Sequence, residues 1–343
     1  MTPRGSRDPR RRSALRRLGR GVGRLLFLVV LLLLATLAAC RWQASARETQ
    51  TRLEAAPSTG RFVRAGDVDL FIQEQGAGDA PVVVFMHGMG AWSQIWRPAM
   101  AAVANAGFRA VAIDLPPFGY SERPAATAYG RQAQARRIVG VLDALGAQTA
   151  VLVGHSFGGG PTMEAVLQAP SRVAALVLAD AAIGLDATPG NSRVPALILG
   201  TQTARDTLVS ATVTNPRLTA RLLRQFVADP AAVTDERVRM LQAPLVLQGA
   251  TSAFGDWLFD FTTSTERPLS QNPQSYGTLT LPALIIWGDR DMTTPLAQGE
   301  RLKDVIGGAE LAIMPGVGHM PQIEDPALFE RLLLAFLQKQ RRP

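Results

Sequence analysis

From residue 61 onward, short apolar runs alternate with longer amphipathic stretches. The runs are Val82 to Met86, Ala110 to Ile113, Ala150 to Val153, Val173 to Ala179, Ala283 to Trp287 and Leu311 to Met314. Each is almost wholly apolar, as strands buried on both faces are. Helical stretches near residues 94–106, 130–145 and 157–168 fall between the early runs. This alternation predicts a mostly parallel, doubly wound α/β sheet with helices on both faces, and reactive groups at the carboxyl ends of its strands. Phe62 to Gln75 reads as a hairpin around Gly66-Asp67. The sheet is expected to occupy residues 61–183 and 278–343.

Between those two segments, residues 184–277 carry helical rather than strand patterning and are expected to form an inserted helical cap. Arg217 to Val227 places Leu218, Leu222, Leu223, Phe226 and Val227 on one face, with Asp229-Pro230 as its stop, and is expected to pack largely against the sheet. At the far end, Asp325 caps a helix with Pro326 in its first turn, and Leu328, Phe329, Leu332, Leu333, Phe336 and Leu337 supply its packing stripe.

The amino terminus departs from this pattern. Residues 1–24 hold nine arginines against Asp8 alone, a surplus that equals the whole net charge of +8. The remainder is balanced, 27 basic against 27 acidic, so the basic character belongs to a tail and gives no reason to expect nucleic-acid binding. Residues 25–40 carry no charge, and Arg41 and Trp42 follow at once. As a helix this stretch spans roughly 24 Å against a hydrocarbon core of roughly 30 Å. Arg24 and Arg41 can snorkel, so a transmembrane anchor is expected. A secretion signal is the other reading, because Leu37-Ala-Ala-Cys40 resembles a lipobox in which Cys40 becomes the lipidated first residue. Both place the basic tail in the cytoplasm and the globular part beyond a bacterial inner membrane, with residues 41–60 as a linker.

Candidate chemistry begins in the third long run. Gly154-His155-Ser156-Phe157-Gly158 fits G-x-S-x-G, the turn in which a serine hydroxyl is exposed above a sheet and side chains at the flanking glycines would collide. Gly288-Asp289-Arg290-Asp291 follows the run ending at Trp287, and Pro315-Gly316-Val317-Gly318-His319 follows the last run. Serine, acid and histidine therefore come in one order at successive strand ends. His87-Gly88-Met89-Gly90 and Asp114-Leu-Pro-Pro-Phe-Gly-Tyr-Ser121 complete the set. With these motifs, residues from about 61 to 340 resemble the α/β-hydrolase superfamily in its lidded, esterase-like branch.

The resemblance implies Ser156 as nucleophile, His319 as base and Asp291 as acid, with the backbone N–H groups of Met89 and Phe157 holding the oxyanion. Asp289 reads as a turn-capping carboxylate, and Asp180 occupies the other place where this superfamily keeps its acid. His87 and His155 read as hydrogen-bonded scaffold residues. A serine at the elbow excludes the branches that use a carboxylate there. The expected function is hydrolysis of a small apolar or lipid-like ester through an acyl-enzyme. Alternatives are carbon–carbon bond hydrolysis of the meta-cleavage type and a non-catalytic ligand-binding homologue.

No cofactor is expected, since position 93 is serine where a dinucleotide fingerprint needs its third glycine and no P-loop is present. No metal is expected either, because His87, His155 and His319 lie far apart in the chain and Cys40 is the single cysteine.

Overall fold

A computed structural model describes residues 9–124, 128–185 and 193–341. The first eight residues of the basic tail, and residues 186–192 of the expected cap, lie outside the described residues. Eight strands form one sheet: β1 (Gly60–Ala65), β2 (Val68–Gln75), β3 (Val82–Met86), β4 (Arg109–Ile113), β5 (Ala150–His155), β6 (Val173–Ala179), β7 (Ala283–Gly288) and β8 (Glu310–Met314). Their order is β1-β2-β4-β3-β5-β6-β7-β8. The first two strands form an antiparallel hairpin, β2 joins β4 antiparallel, and every pairing from β4 to β8 is parallel. The chain therefore has the α/β fold that its hydrophobic rhythm implies.

The helices are α1 (Pro9–Arg47), α2 (Arg52–Ala55), α3 (Arg97–Asn105), α4 (Arg131–Ala144), α5 (Gly159–Gln168), α6 (Arg193–Leu199), α7 (Gln202–Ala211), α8 (Thr219–Leu223), α9 (Asp235–Gln242), α10 (Ala250–Thr263), α11 (Leu296–Val305), α12 (Pro321–Glu324) and α13 (Pro326–Gln340). Period-2 geometry splits the buried runs between two faces. Val84, Met86 and Leu152 meet Ile138 of α4, Met163 of α5 and Leu302 of α11. Val83, Phe85 and Val153 meet Trp96, Met100 of α3, and Phe329 and Leu333 of α13. Asp325 Oδ1 accepts the Leu328 N–H at 2.9 Å, so α13 starts where its capping aspartate directs it.

Between β6 and β7 the described residues form α6 to α10 and short 3-10 turns, without a strand. Arg217 to Val227 is not one helix. A 3-10 turn at Pro216–Leu218 runs into α8, which ends at Leu223. The Phe226 carbonyl accepts the His319 N–H at 2.8 Å, and Glu324 takes the N–H groups of Ala228 and Asp229, so the backbone leaves its helical path to meet the loop after β8.

The expected linker is also different. Helix α1 runs unbroken through residues 25–40 and on to Arg47. Its apolar part is exposed, with Leu25 to Leu34 roughly half to two-thirds accessible, and Arg20–Arg47 is long and apolar enough to cross a membrane. The last turns instead dock on the cap. Ala44 is buried, Arg41 Nη2 pairs with Asp206 Oδ2 at 2.7 Å, Arg47 Nε donates to the Leu245 carbonyl at 2.9 Å, and Glu48 accepts from the N–H and hydroxyl of Thr251. After a Thr51–Glu54 capping box opens α2, the chain enters β1 at Gly60. Side chains that dock on a polar surface have the same composition as side chains left in solvent. That ambiguity is why this segment reads as a linker in one dimension.

Asp206 keeps only 2% of its side chain exposed, and Arg41 is its cation. Arg41→Ala is expected to destabilise the folded protein by about 1–3 kcal/mol. Thermal unfolding of the two proteins measures this, and an unchanged midpoint would refute the docking of α1 on the cap.

Candidate active site

At the end of β5 the backbone turns sharply into a 3-10 turn, Ser156–Gly158, and then α5. Ser156 has φ 50°, in the left-handed region that non-glycine residues seldom adopt. The flanking glycines make room for it. A Cβ on Gly154 would stand 2.5 Å from Thr162 Oγ1, and one on Gly158 would stand 2.5 Å from the His87 carbonyl oxygen. On the other side of the serine, a Cβ on Gly88 would be 3.0 Å from Ser156 Cβ, so the Gly88-Met89 loop lies directly against the elbow.

His319 and Asp291 converge on this point. The Ser156 hydroxyl lies 2.7 Å from His319 Nε2, and His319 Nδ1 lies 2.7 Å from Asp291 Oδ2. With Nδ1 donating to the carboxylate, Nε2 is the nitrogen free to accept the serine proton. Asp291 Oδ1 also accepts the N–H groups of Thr293 (2.7 Å) and Thr294 (3.0 Å), while the Thr294 hydroxyl donates to Oδ2 at 2.6 Å. Burial works against the charged form of Asp291. The hydrogen bonds from His319 and Thr294 outweigh it and hold the acid at about 2. Thr294 is a site residue that sequence reading misses; its signal is the Asp-x-x-Thr spacing of a side chain folding back on its own turn.

The other histidines are neutral braces. His87 Nδ1 donates to the Gly88 carbonyl at 2.7 Å and Nε2 accepts the Leu115 N–H at 3.0 Å. His155 Nε2 donates to the His319 carbonyl at 2.7 Å, tying the elbow to the histidine loop. Burial lowers His87 to about 4 and His155 to about 3. Glu324 accepts from the N–H groups of Gly318 and Met320 on either side of His319, which fixes that loop. Asp289 accepts the Gly316 N–H at 2.7 Å, as a turn-capping carboxylate does, and lies outside the triad's hydrogen bonds.

Asp180, Asp291 and His319 present ligand-type atoms within 4.8 Å of one another. Both ring nitrogens of His319 are already engaged, by Asp291 and Ser156. Cap and core line a cavity of about 170 Å³ that comes up to the site at Met89, next to Gly88, and at Met320, next to His319, and whose wall includes Phe118, Leu222, Phe226 and Phe254. Phe226 packs against His319 with the rings tilted by 37° and their centroids 5.8 Å apart, and Phe157 packs edge-on to Phe118 and Trp257. Arg123 is the one charged side chain in the described wall.

A sequence profile of the alpha/beta hydrolase fold matches residues 81–326, the span that holds every residue of this constellation. The chain is an α/β-hydrolase. It is 32% identical over 304 residues to a 2-hydroxy-6-oxononadienedioate/2-hydroxy-6-oxononatrienedioate hydrolase of Paraburkholderia phymatum, covering 84% of this chain and 99% of that one. Its structure resembles a meta-cleavage product hydrolase from Pseudomonas fluorescens, with a TM-score of 0.67, 26% identity and 82% and 98% of the two chains covered. A membrane phospholipase A also resembles it, with a TM-score of 0.67 and 25% identity; that match covers 96% of the hydrolase, a share that takes in most of α1, and 100% of its counterpart. The names of the curated relatives fit the carbon–carbon alternative better than the ester reading.

Fluorophosphonate labelling checks the hydrogen-bonded pair at the centre of this site. The hydrolase is expected to be labelled at Ser156, and His319→Ala to slow labelling at least about a hundredfold. Labelling elsewhere, or at an equal rate in the variant, would refute the pairing.

Proposed function

We propose that the hydrolase cleaves a carbon–carbon bond in a 2-hydroxy-6-oxo-dienoate that carries one carboxylate and an apolar remainder. One observation carries the carboxylate: Arg123 lies in the cavity wall, hydrogen-bonds to the carbonyls of Pro117 and Gln248, and has no carboxylate partner among the described residues. A lone guanidinium in an otherwise uncharged, mostly apolar wall matches a single anionic group on the ligand. The relatives' names support the bond type; the dienedioate in one of those names has two carboxylates, for which this wall offers one cation.

In this reading Asp291 orients His319, and His319 Nε2 takes the Ser156 proton as Oγ attacks the 6-oxo carbon. The backbone N–H groups of Met89 and Phe157 receive the oxyanion. The reacting form is the 2-oxo tautomer, in which the 2-hydroxyl proton has moved to C5 and one double bond remains at C3–C4. Collapse then breaks the C5–C6 bond, C5 leaves as a dienolate conjugated to the 2-oxo acid, and His319 returns the proton to that dienolate. Water, activated by the same imidazole, then hydrolyses the acyl-serine and frees the second product.

Two observations favour ester hydrolysis as a second reading: the apolar character of the rest of the wall, and the likeness to a membrane phospholipase A across nearly the whole chain. The triad would act identically on a small apolar or lipid-like ester. Under either reading we place α1 in a bacterial inner membrane as an uncleaved anchor, with the hydrolase on the far side from the basic tail. The lipoprotein reading puts the lipid on Cys40 instead, within the same helix.

A panel of one dienoate and neutral nitrophenyl esters separates the two bond types. Turnover of the dienoate is expected, with Arg123→Gln raising its KM about 10- to 100-fold, the loss of a charge-assisted hydrogen bond. Ester turnover without dienoate turnover would overturn the carbon–carbon reading and sustain the second.

A further inference from the structure

Two non-glycine residues among those described adopt left-handed backbone, Ser156 and Asp180 (φ 42°). They follow one another in space, at the carboxyl ends of the neighbouring strands β5 and β6. Strain at the first exposes the hydroxyl of the triad. At the second it turns a buried carboxyl toward the tip of β7, where Asp291 begins its turn. Asp180 Oδ1 accepts the Gly288 N–H at 3.0 Å, and its carbonyl oxygen lies 3.1 Å from the Thr294 hydroxyl, whose one proton goes to Asp291. Its other oxygen, Oδ2, is buried and has no hydrogen-bond partner.

The Asp180 carboxyl belongs to a triangle. One oxygen of Asp180, one of Asp291 and a ring nitrogen of His319 lie within 4.8 Å of one another, about the spacing of adjacent strands. The β6–β7 register, which pairs Ala179 with Ile286, brings the two carboxyls to one level. Burial, and then the charge of Asp291, push Asp180 well above the usual carboxylate range, while Asp291 stays ionised. One buried imidazole thus has two carboxyls beside it, and a single negative charge is shared out to one of them.

We propose that Asp180 is a reserve acid of the triad, a positioning residue that takes over the support of His319 Nδ1 when Asp291 is neutral. The imidazolium formed during serine attack needs a buried counter-charge. With Asp291 replaced by an uncharged side chain, Asp180 no longer faces a neighbouring anion, ionises, and turns Oδ2 to the ring nitrogen. In the intact protein it braces the Gly288 turn, and its burial beside Asp291 favours its acid form.

The proposal rests on the triad reading, and Ser156→Ala tests that reading separately by abolishing turnover in every background. Asn tolerates left-handed backbone and keeps an oxygen for the Gly288 N–H, so Asp180→Asn removes the acid and leaves the brace. Asp180→Gly, equally at ease with positive φ, is the second variant should the first unfold. Turnover is measured for each single variant and for Asp180→Asn with Asp291→Asn, with thermal unfolding as the control for folding. Asp180→Asn alone is expected to cost at most a few fold, and Asp291→Asn alone about 10- to 100-fold. The pair is expected to approach the roughly 10⁴-fold loss of a triad with no acid. Equal losses for Asp291→Asn and the pair, or the same factor for Asp180→Asn in both backgrounds, would overturn the reserve role. A crippling Asp180→Asn alone would make it the primary acid and overturn it equally.

Discussion

The bend at Ser156 is the constraint around which the site is assembled. A non-glycine residue held at φ 50° costs free energy, of the order of 1–3 kcal/mol, and persists only where its surroundings over-determine it. Those surroundings come from three strand ends. Gly154 and Gly158 clear the crossing of β5 and α5, Gly88 brings the loop after β3 against the serine, and His155 ties the elbow to the His319 carbonyl. The His319 N–H in turn holds the cap through Phe226. Core, loop and cap thus meet at one strained residue, and the sheet supplies the rigidity that keeps it there.

Electrostatics at this meeting point are sparing. Two of the three histidines are buried as neutral hydrogen-bonding groups, and of the two carboxyls nearest His319 one is ionised and the other is pushed toward its acid form. The low-dielectric interior therefore contains one anion and one base in contact. A low-dielectric surround strengthens that contact.

Much of this was legible in one dimension, for reasons that differ by residue. Buried parallel strands leave continuous apolar runs, and the ends of those runs locate Ser156, Asp291 and His319 to within a few residues. Gly154 and Gly158 are visible because a collision there admits no other side chain. Thr294 and Arg123 were not visible. The hydroxyl of the first matters only because its turn folds back on Asp291, and the second enters the cavity wall through the tertiary path of the cap. The helix expected over Arg217 to Val227 failed because amphipathic spacing records which side chains are apolar, while the carbonyl of Phe226 is claimed from ninety residues away. The bond to be cleaved was the least legible of all, since one triad serves several bonds and the choice lies in the wall of the cavity.

The continuity of α1 changes what its length means. In a flexible tether, one added residue alters reach by a few ångströms and orientation not at all. In a helix fixed at one end, one added residue rotates everything before it by about 100° and moves it by about 1.5 Å. With Arg41, Ala44 and Glu48 clamped to the cap, the azimuth of the exposed apolar surface around residues 25–34 is set relative to the cavity by residue count alone. The amino-terminal segment acts as an indexed shaft, so its register is under the same kind of constraint as the register of a strand.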